Sequence, residues 1–413
     1  MGKSPLILAA LAKAAVPSLN FSQVKPLSGS QLGHFDSALL TATSGDYFVI
    51  RIPGSNSGSL EMDVETQVLK LFTDSVRAKL PFKVTSILGE TRDSNRKRAV
   101  VFEYVFGNML DFDRLAPTSP LASSLGRAIG AIHALDADAF RTAGFPEFTP
   151  AETAKRRFAD LDAVSALGLV PPVLLSRWEQ ALEDVSLFRY QPTVVHGGLT
   201  AETVLEQDQS VSGVLNWGAL HIGDPAEDLA WIAGAGIPDL LEAVRLAYFQ
   251  TAETFDSSIT QRAVLYSEMG HALWLMHGKN TGDQSIVDEA MADLELLASE
   301  VENGVALELS AAGFKPNATV AGGFVTASEL AEANDEPADA PASAENADVE
   351  PQQDTDTALS DPTPTATIEI VAEDQPEVST APIVDETKTT PVEVVDDKTR
   401  EIELPAKTDN ELF

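Results

Sequence analysis

The chain contains no cysteine. That absence excludes disulfides, thiolate metal sites and a cysteine nucleophile, and it fits a reducing, cytoplasmic setting. Positive charge is scarce: 28 Lys+Arg stand against 63 Asp+Glu, a formal net charge of −35. Such a surface repels phosphate groups, which argues against binding nucleic acid or an anionic membrane through a general basic face. No apolar run is long enough to cross a bilayer. The first residues, M-G-K-S-P-L-I-L-A-A-L-A-K-A-A-V-P-S, have the outline of a signal peptide. Lys13 interrupts their apolar stretch, however, and Leu6, Ala9, Ala10 and Lys13 recur at helical spacing, so a short amphipathic helix leading into the fold is expected.

What is there divides unevenly. Residues 329–413 hold 24 Asp+Glu and 4 Lys+Arg, a net of −20, which leaves −15 for residues 1–328. The same stretch carries nine of the 24 prolines and one aromatic, Phe413. A segment of this composition buries too little apolar surface to offset its ordering entropy, so 311–413 is expected to be a disordered acidic tail. Two β-prone islets, T-I-E-I-V (367–371) and V-E-V-V (392–395), read as spacers, although a partner could pair with them. No internal repeat is present.

The remaining 310 residues fall into two parts, 1–107 and 108–310. In Y-F-V-I-R-I (47–52), Phe48, Ile50 and Ile52 face one way and Tyr47, Val49 and Arg51 the other, the alternation of a strand. A loop at 54–59 precedes a helix whose apolar face is expected to carry Leu60, Val64, Val68 and Leu71. R-A-V-V-F-E-Y-V (98–105) is a second strand, and F-G-N (106–108) a hinge. Beyond it the periods are helical: Leu121, Leu125, Ile129 and Ile132 share a face, as do Leu240, Val244 and Ala247. Further helices are expected at 258–277 and 283–302, with two short strands in 204–217.

Three motifs stand in the second part: H-G-G-L-T-A-E-T-V-L (196–205), V-S-G-V-L-N-W (211–217) and G-D-P-A-E-D-L-A-W (223–231). Together with V-I-R-I-P (49–53) and E-T-Q-V-L-K-L-F (65–72), they resemble the aminoglycoside and macrolide phosphotransferase family. The resemblance covers roughly residues 5–303. It implies an α+β, two-lobed, protein-kinase-like fold, with a β-rich N-lobe holding one main helix and a larger, mostly helical C-lobe. It also implies ATP as cofactor with magnesium, and a hydroxyl-bearing small molecule as acceptor. The glycine-rich stretch G-S-Q-L-G-H-F (29–35) matches the family poorly.

Phosphoryl transfer in this family uses a carboxylate to orient the acceptor hydroxyl, an asparagine five residues later, and an aspartate on the next strand to hold magnesium. The matching positions here are Gly198, Thr203 and Asn216, and all three depart from the pattern. Gly198 has no side chain to act as a base. Asn216 offers a neutral carbonyl to a cation that prefers carboxylates. Thr203 offers one hydroxyl, so Thr203 and Asn216 are weak magnesium ligands. Glu202 is the candidate substitute base, with Asp208 behind it. The expectation is therefore a non-catalytic pseudokinase that retains nucleotide binding. The alternatives are an active small-molecule kinase with atypical residues and an interaction protein acting through its tail.

The resemblance also assigns supporting roles. Arg51 stands where kinases carry a phosphate-binding basic residue, with Glu65 as first candidate partner and Glu61 as second. Val49 would roof an adenine, and the backbone of Glu103 to Val105 would hydrogen-bond it. His196 reads as a packed brace, while Asp224 and Asp228 would brace the catalytic loop. Asp224-Pro225-Ala226-Glu227 is also a helix start, with a cap, a proline and a capping-box acid. His133 reads as core-edge packing. His221, His271 and His277 show no ligand pattern. The mixed charges of 151–190 make no clear polycation pocket, and the identity of any small-molecule or protein partner stays open.

Overall fold

The computed structural model describes residues 3–27, 35–112, 115–310 and 393–394, all within one compact unit. The tail expected to be disordered, 311–413, lies outside the described residues apart from 393–394. The glycine-rich stretch 29–34 lies outside them as well.

The N-lobe is α1 (Pro5–Ala15), β1 (Phe21–Leu27), β2 (Phe35–Ala42), β3 (Tyr47–Pro53), α2 (Asn56–Leu71), the single turn α3 (Asp74–Arg77), β4 (Ile87–Arg92) and β5 (Arg98–Glu103). The strands pair antiparallel in the order β1-β2-β3-β5-β4. Alternation along β3 splits the lobe as its sequence implies. Phe48, Ile50 and Ile52 bury with Leu8, Ala9, Ala12, Leu40 and Val101 in a separate core beneath α1. Arg51 turns to the opposite face. The expected N-terminal helix is present, but its buried stripe is Leu8, Ala9 and Ala12, while Leu6 is 51% exposed. The end of α1 lies so close to β4 that a Cβ on Gly89 would stand 2.3 Å from the Ala15 carbonyl oxygen.

The main helix departs from its apolar period at one position. α2 buries Met62, Glu65, Thr66, Val68 and Leu69, and leaves Leu60 69% exposed. Of the expected face, Val68 is buried and Val64 and Leu71 pack against the core, so only Leu60 departs from it. Glu65 faces inward beside them to meet Arg51.

The C-lobe contains β6 (Asn108–Met109), α4 (Pro120–His133), α5 (Ala137–Thr142), α6 (Pro150–Ser165), α7 (Pro172–Glu183), β7 (Thr193–Val195), β8 (Val204–Gln207), β9 (Ser210–Val214), β10 (His221–Gly223), α8 (Ala230–Ala233), α9 (Pro238–Tyr248), α10 (Ile259–Thr281) and α11 (Gln284–Glu302). β8 and β9 are the two short strands expected, in a sheet ordered β6-β8-β9; β7 and β10 form a second pair. Those two strands are three residues long, too short to show an alternation. The last two expected helices are α10 and α11, and the predicted faces of α4 and α9 are buried. In the tail, β11 (Glu393–Val394) joins β1 in parallel, Gln23 opposite Glu393 and Val24 opposite Val394. The islet read as a spacer thus occupies a sheet edge.

Two of the contacts between the lobes lie at β9 and at the hinge. Lys83, after α3, donates its backbone N–H to the Ser212 carbonyl and accepts from Val214 N–H, both on β9. At the hinge, Gly107 (φ 148°) leaves no room for a side chain, since a Cβ there would lie 2.3 Å from Ser212 Oγ.

Gly126 and Gly130 on α4 let α9 and the turn after it approach closely. A Cβ on Gly126 would lie 2.2 Å from the Val244 carbonyl oxygen, and one on Gly130 2.2 Å from Thr251 Oγ1. Helix propensity alone favours Gly126→Ala by about 1 kcal/mol. Overpacking against backbone costs about 1–3 kcal/mol, so Gly126→Ala is expected to destabilise. A urea titration in which the variant has the higher midpoint would show that α4 and α9 separate easily.

Candidate active site

The site begins with a charge pair in the N-lobe. Arg51 Nη1 donates to Glu65 Oε2 at 2.8 Å, and both residues are buried. The guanidinium lies 4.1 Å from the centre of the Phe35 ring. Its Nε and Nη2 atoms are buried without a hydrogen-bond partner. A buried pair gains little net stability once desolvation is counted, and two donors of this buried cation are unused. Glu65 is the partner. Glu61 instead packs against Gly218, where a Cβ would lie 2.5 Å from its Cγ.

At the hinge, Glu103 is less open than expected. Its carbonyl already accepts from Thr85 Oγ1 at 2.7 Å, and its N–H donates to the Ser86 carbonyl. Val105 is buried against β9, within 2.4 Å of where Gly213 would carry a Cβ. Val49 is half-buried on the Arg51 face.

The loop 196–203 is braced from beneath by Asp228. This fully enclosed carboxylate accepts from His196 N–H (2.7 Å) and Gly197 N–H (2.9 Å) and meets His133 Nε2 at 3.1 Å. Burial by itself would raise its pKa. The His133 hydrogen bond and charge outweigh that, aided by His196, and hold the carboxyl below its ordinary range. His133 is therefore no core-edge residue: it links Asp228 to Tyr248 Oη, 3.0 Å from its Nδ1. Asp224 does not touch the loop, contrary to expectation. It accepts two bonds from Arg262, at 2.7 and 2.8 Å, one from Tyr266 Oη and one from Ala226 N–H, and so fastens α10.

His196 is a brace, as read. Its Nε2 lies 3.0 Å from the Leu215 carbonyl, and its Nδ1 accepts from Gly198 N–H. That pattern requires the neutral Nε2–H tautomer, and burial lowers the pKa accordingly. Its ring packs on Trp217, which also meets Phe72, the residue after α2, edge-on, so the loop and the end of α2 share one aromatic cluster. Gly197 needs its positive φ of 73° and its bare backbone, since a Cβ would lie 2.6 Å from the Ala219 carbonyl oxygen.

The three departing positions differ from one another. Gly198 has space: the atom nearest to an added Cβ is Ala219 Cβ at 3.7 Å. Thr203 is buried, and its hydroxyl accepts from Thr200 N–H at 2.8 Å and donates back into the loop, so it is turned away from any metal. Asn216 is left-handed (φ 62°, ψ 59°), a conformation asparagine tolerates, and it leads directly into Trp217. Glu202 is half-buried and already engaged by neighbours. Asp208 sits in the β8–β9 turn at φ 52°. Among the described residues, no group of three His, Cys, Asp or Glu is arranged to hold a metal. A neutral amide, an inward hydroxyl and a glycine do not fit magnesium.

His271 pairs with Asp293 at 3.1 Å, and His277 stacks on Trp274. His221 lies 3.4 Å from Glu227, within reach of its charge although not aligned as a hydrogen bond. Burial would lower the His221 pKa, but Glu227 outweighs it and raises it. Sequence reading missed Arg262, although an arginine and a tyrosine four apart in the apolar run I-T-Q-R-A-V-L-Y was a signal of a buried polar contact.

A β-sheet lobe with a buried Arg–Glu pair, hinged to a helical lobe with a carboxylate-braced loop, defines a kinase-like phosphotransferase fold. The family model described as the phosphotransferase enzyme family matches residues 28–263, and the chain belongs to that family. Solved structures agree in fold. Macrolide 2'-phosphotransferase MphH from Brachybacterium faecium is 22% identical over 70% of this chain and 98% of its own, with a TM-score of 0.58. The GDP complex of aminoglycoside 2'-phosphotransferase-IIIa is 18% identical over 72% of this chain and 100% of its own, with a TM-score of 0.61. No curated protein matches significantly.

The pKa of His196 gives a signed prediction. A depressed folded value means stability is fully present above the ordinary 6.5 and is lost as pH falls through the folded value. His221, with a raised value, acts oppositely and loses its contribution as pH rises. Between about pH 6.5 and about pH 5, the urea midpoint should fall, and His196→Gln should reduce that fall. Equal slopes in wild type and variant would refute the buried neutral ring.

Proposed function

We propose that the protein is a nucleotide-binding member of its family in which phosphoryl transfer is lost, a pseudokinase serving as a binding or scaffold protein in a reducing cytoplasm. The observation that carries this reading is Gly198. The loop around it is braced by Asp228, and there is room for a side chain, yet none is present to take the acceptor proton. Losing a general base costs about 10²–10⁴ in rate, or roughly 3–5 kcal/mol of barrier. Asn216 and Thr203 compound the loss.

Nucleotide binding is supported by the free Nε and Nη2 donors of Arg51. These can meet phosphate oxygens in a charge-assisted geometry. Aminoglycoside 2'-phosphotransferase-IIIa, similar in fold, was solved with GDP, and nucleoside phosphates are the ligand class proposed here. A second reading, an active kinase for a hydroxyl-bearing small molecule such as a macrolide or aminoglycoside, is favoured by one observation: the Arg51–Glu65 pair and the Asp228 brace are both in place. It would need Glu202 or solvent as base.

The test is ATP hydrolysis with magnesium, comparing wild type with Gly198→Asp/Thr203→Asn/Asn216→Asp. Wild type should show no turnover above buffer, and the triple variant should gain magnesium-dependent turnover. Unfolding curves establish that it folds. If Thr203→Asn disturbs the loop, Gly198→Asp/Asn216→Asp carries the test. Wild-type turnover that drops in Glu202→Ala would put the second reading first. Silence from a folded variant would contradict the nucleotide cleft.

A further inference from the structure

A cavity of about 300 Å³ lies beneath α2, apart from the Arg51 pair. One wall is α2 itself, through Val64 and Gln67. The opposite wall is the segment from Gly218 to His221, and the floor is Phe145, Pro146 and Phe148. Its volume is at the low end of those that hold small molecules, and its lining is mainly apolar with a few polar groups, as such sites usually are.

Two of those polar groups, Arg156 and His221, share one aromatic ring. The Arg156 guanidinium lies 4.1 Å from the centre of Phe148, and the His221 ring lies 5.5 Å from it. Among the described residues no carboxylate pairs with Arg156, in contrast to Arg157, which meets Asp160 and Glu227. His221 Nε2 is buried without an aligned hydrogen-bond partner, and Glu227 stands 3.4 Å from it, so Arg156 is the cation the cavity offers. An unpaired guanidinium over an aromatic face at the edge of an apolar cavity suits an anion carried on an apolar body.

The position gives the site a consequence. Val64 is the neighbour of Glu65 on α2, and Gly218 is two residues past Asn216. A molecule in the cavity touches both the helix that carries the partner of Arg51 and the segment that continues from the family's metal position. We propose that this cavity is a ligand site of its own. It takes a small molecule with an aromatic or apolar body and one phosphate or carboxylate group, and its filling holds α2 where Glu65 meets Arg51. The physical link is direct packing on α2, with no longer pathway invoked.

The test uses the full chain without nucleotide, so its outcome is independent of whether phosphoryl transfer survives. Phenyl phosphate and benzoate are the probes, with benzyl alcohol as the uncharged control. Binding is followed by calorimetry, and amide hydrogen exchange is followed by mass spectrometry. Phenyl phosphate should bind saturably and benzyl alcohol should not. Arg156→Ala, at an exposed position, should weaken binding by about tenfold or more. Gln67→Trp, also at an exposed position, should fill the cavity and abolish it. Exchange should slow in 56–71 and 216–223 on saturation. No saturable binding, or binding that ignores both variants and responds only to Arg51→Ala, would overturn the site. Binding without slower exchange in α2 would overturn its coupling to the Arg51–Glu65 pair.

Discussion

One buried carboxylate sets the geometry of the C-lobe site. Asp228 receives two consecutive backbone N–H groups, those of His196 and Gly197, and fixes where the loop turns. Leaving such donors unmet in the interior would cost about 1–3 kcal/mol each, so the loop has little freedom to refold around a changed sequence. His133 and Tyr248 extend the network to α4 and α9. Through the His196 ring the same anchor reaches Trp217 and then Phe72 in the N-lobe. The arrangement of the lobes thus depends on a group that performs no chemistry.

That dependence explains how a frame and its chemistry can part. The residues that shape the site are enclosed and mutually bonded: Asp228, His196, Trp217, and Asp224 with Arg262. Replacing any of them leaves a buried polar atom unpaired or a cavity behind. Gly198 and Asn216 are only half-buried, at the mouth of the loop. A change at Gly198 costs reactivity and little stability, while the left-handed backbone at Asn216 (φ 62°) restricts what can replace it. Thr203 is intermediate, since its hydroxyl has been taken into the loop as a structural bond. The frame therefore persists by packing, whatever the state of the catalyst.

Strands β3 and β5 and helices α4, α9, α10 and α11 were legible because alternation and helical period record which faces are buried. Arg51 with Glu65 was legible through the family resemblance of V-I-R-I-P and E-T-Q-V-L-K-L-F. The start of α2 was read wrongly at Leu60, which is exposed, while Val64, Val68 and Leu71 pack on the core as the period implied; that Glu65 is buried beside them is something hydrophobic patterning is blind to. Asp224 and Asp228 looked interchangeable in G-D-P-A-E-D-L. Their roles separate only in three dimensions, where Arg262 arrives from 38 residues later to claim the first. His133 read as packing because its acceptor is 95 residues away. The cavity under α2 joins four distant segments and left no mark in any one of them.

The central claim is that the cleft keeps its phosphate-binding donors while its metal ligands are gone. Its most direct test is ATP affinity by calorimetry with and without magnesium, alongside Arg51→Ala. The account predicts ATP binding that magnesium does not strengthen and that Arg51→Ala weakens by about tenfold or more. Binding that appears only with magnesium would contradict it, because the metal would then be held despite Asn216 and Thr203. Affinity indifferent to Arg51→Ala would contradict it as well.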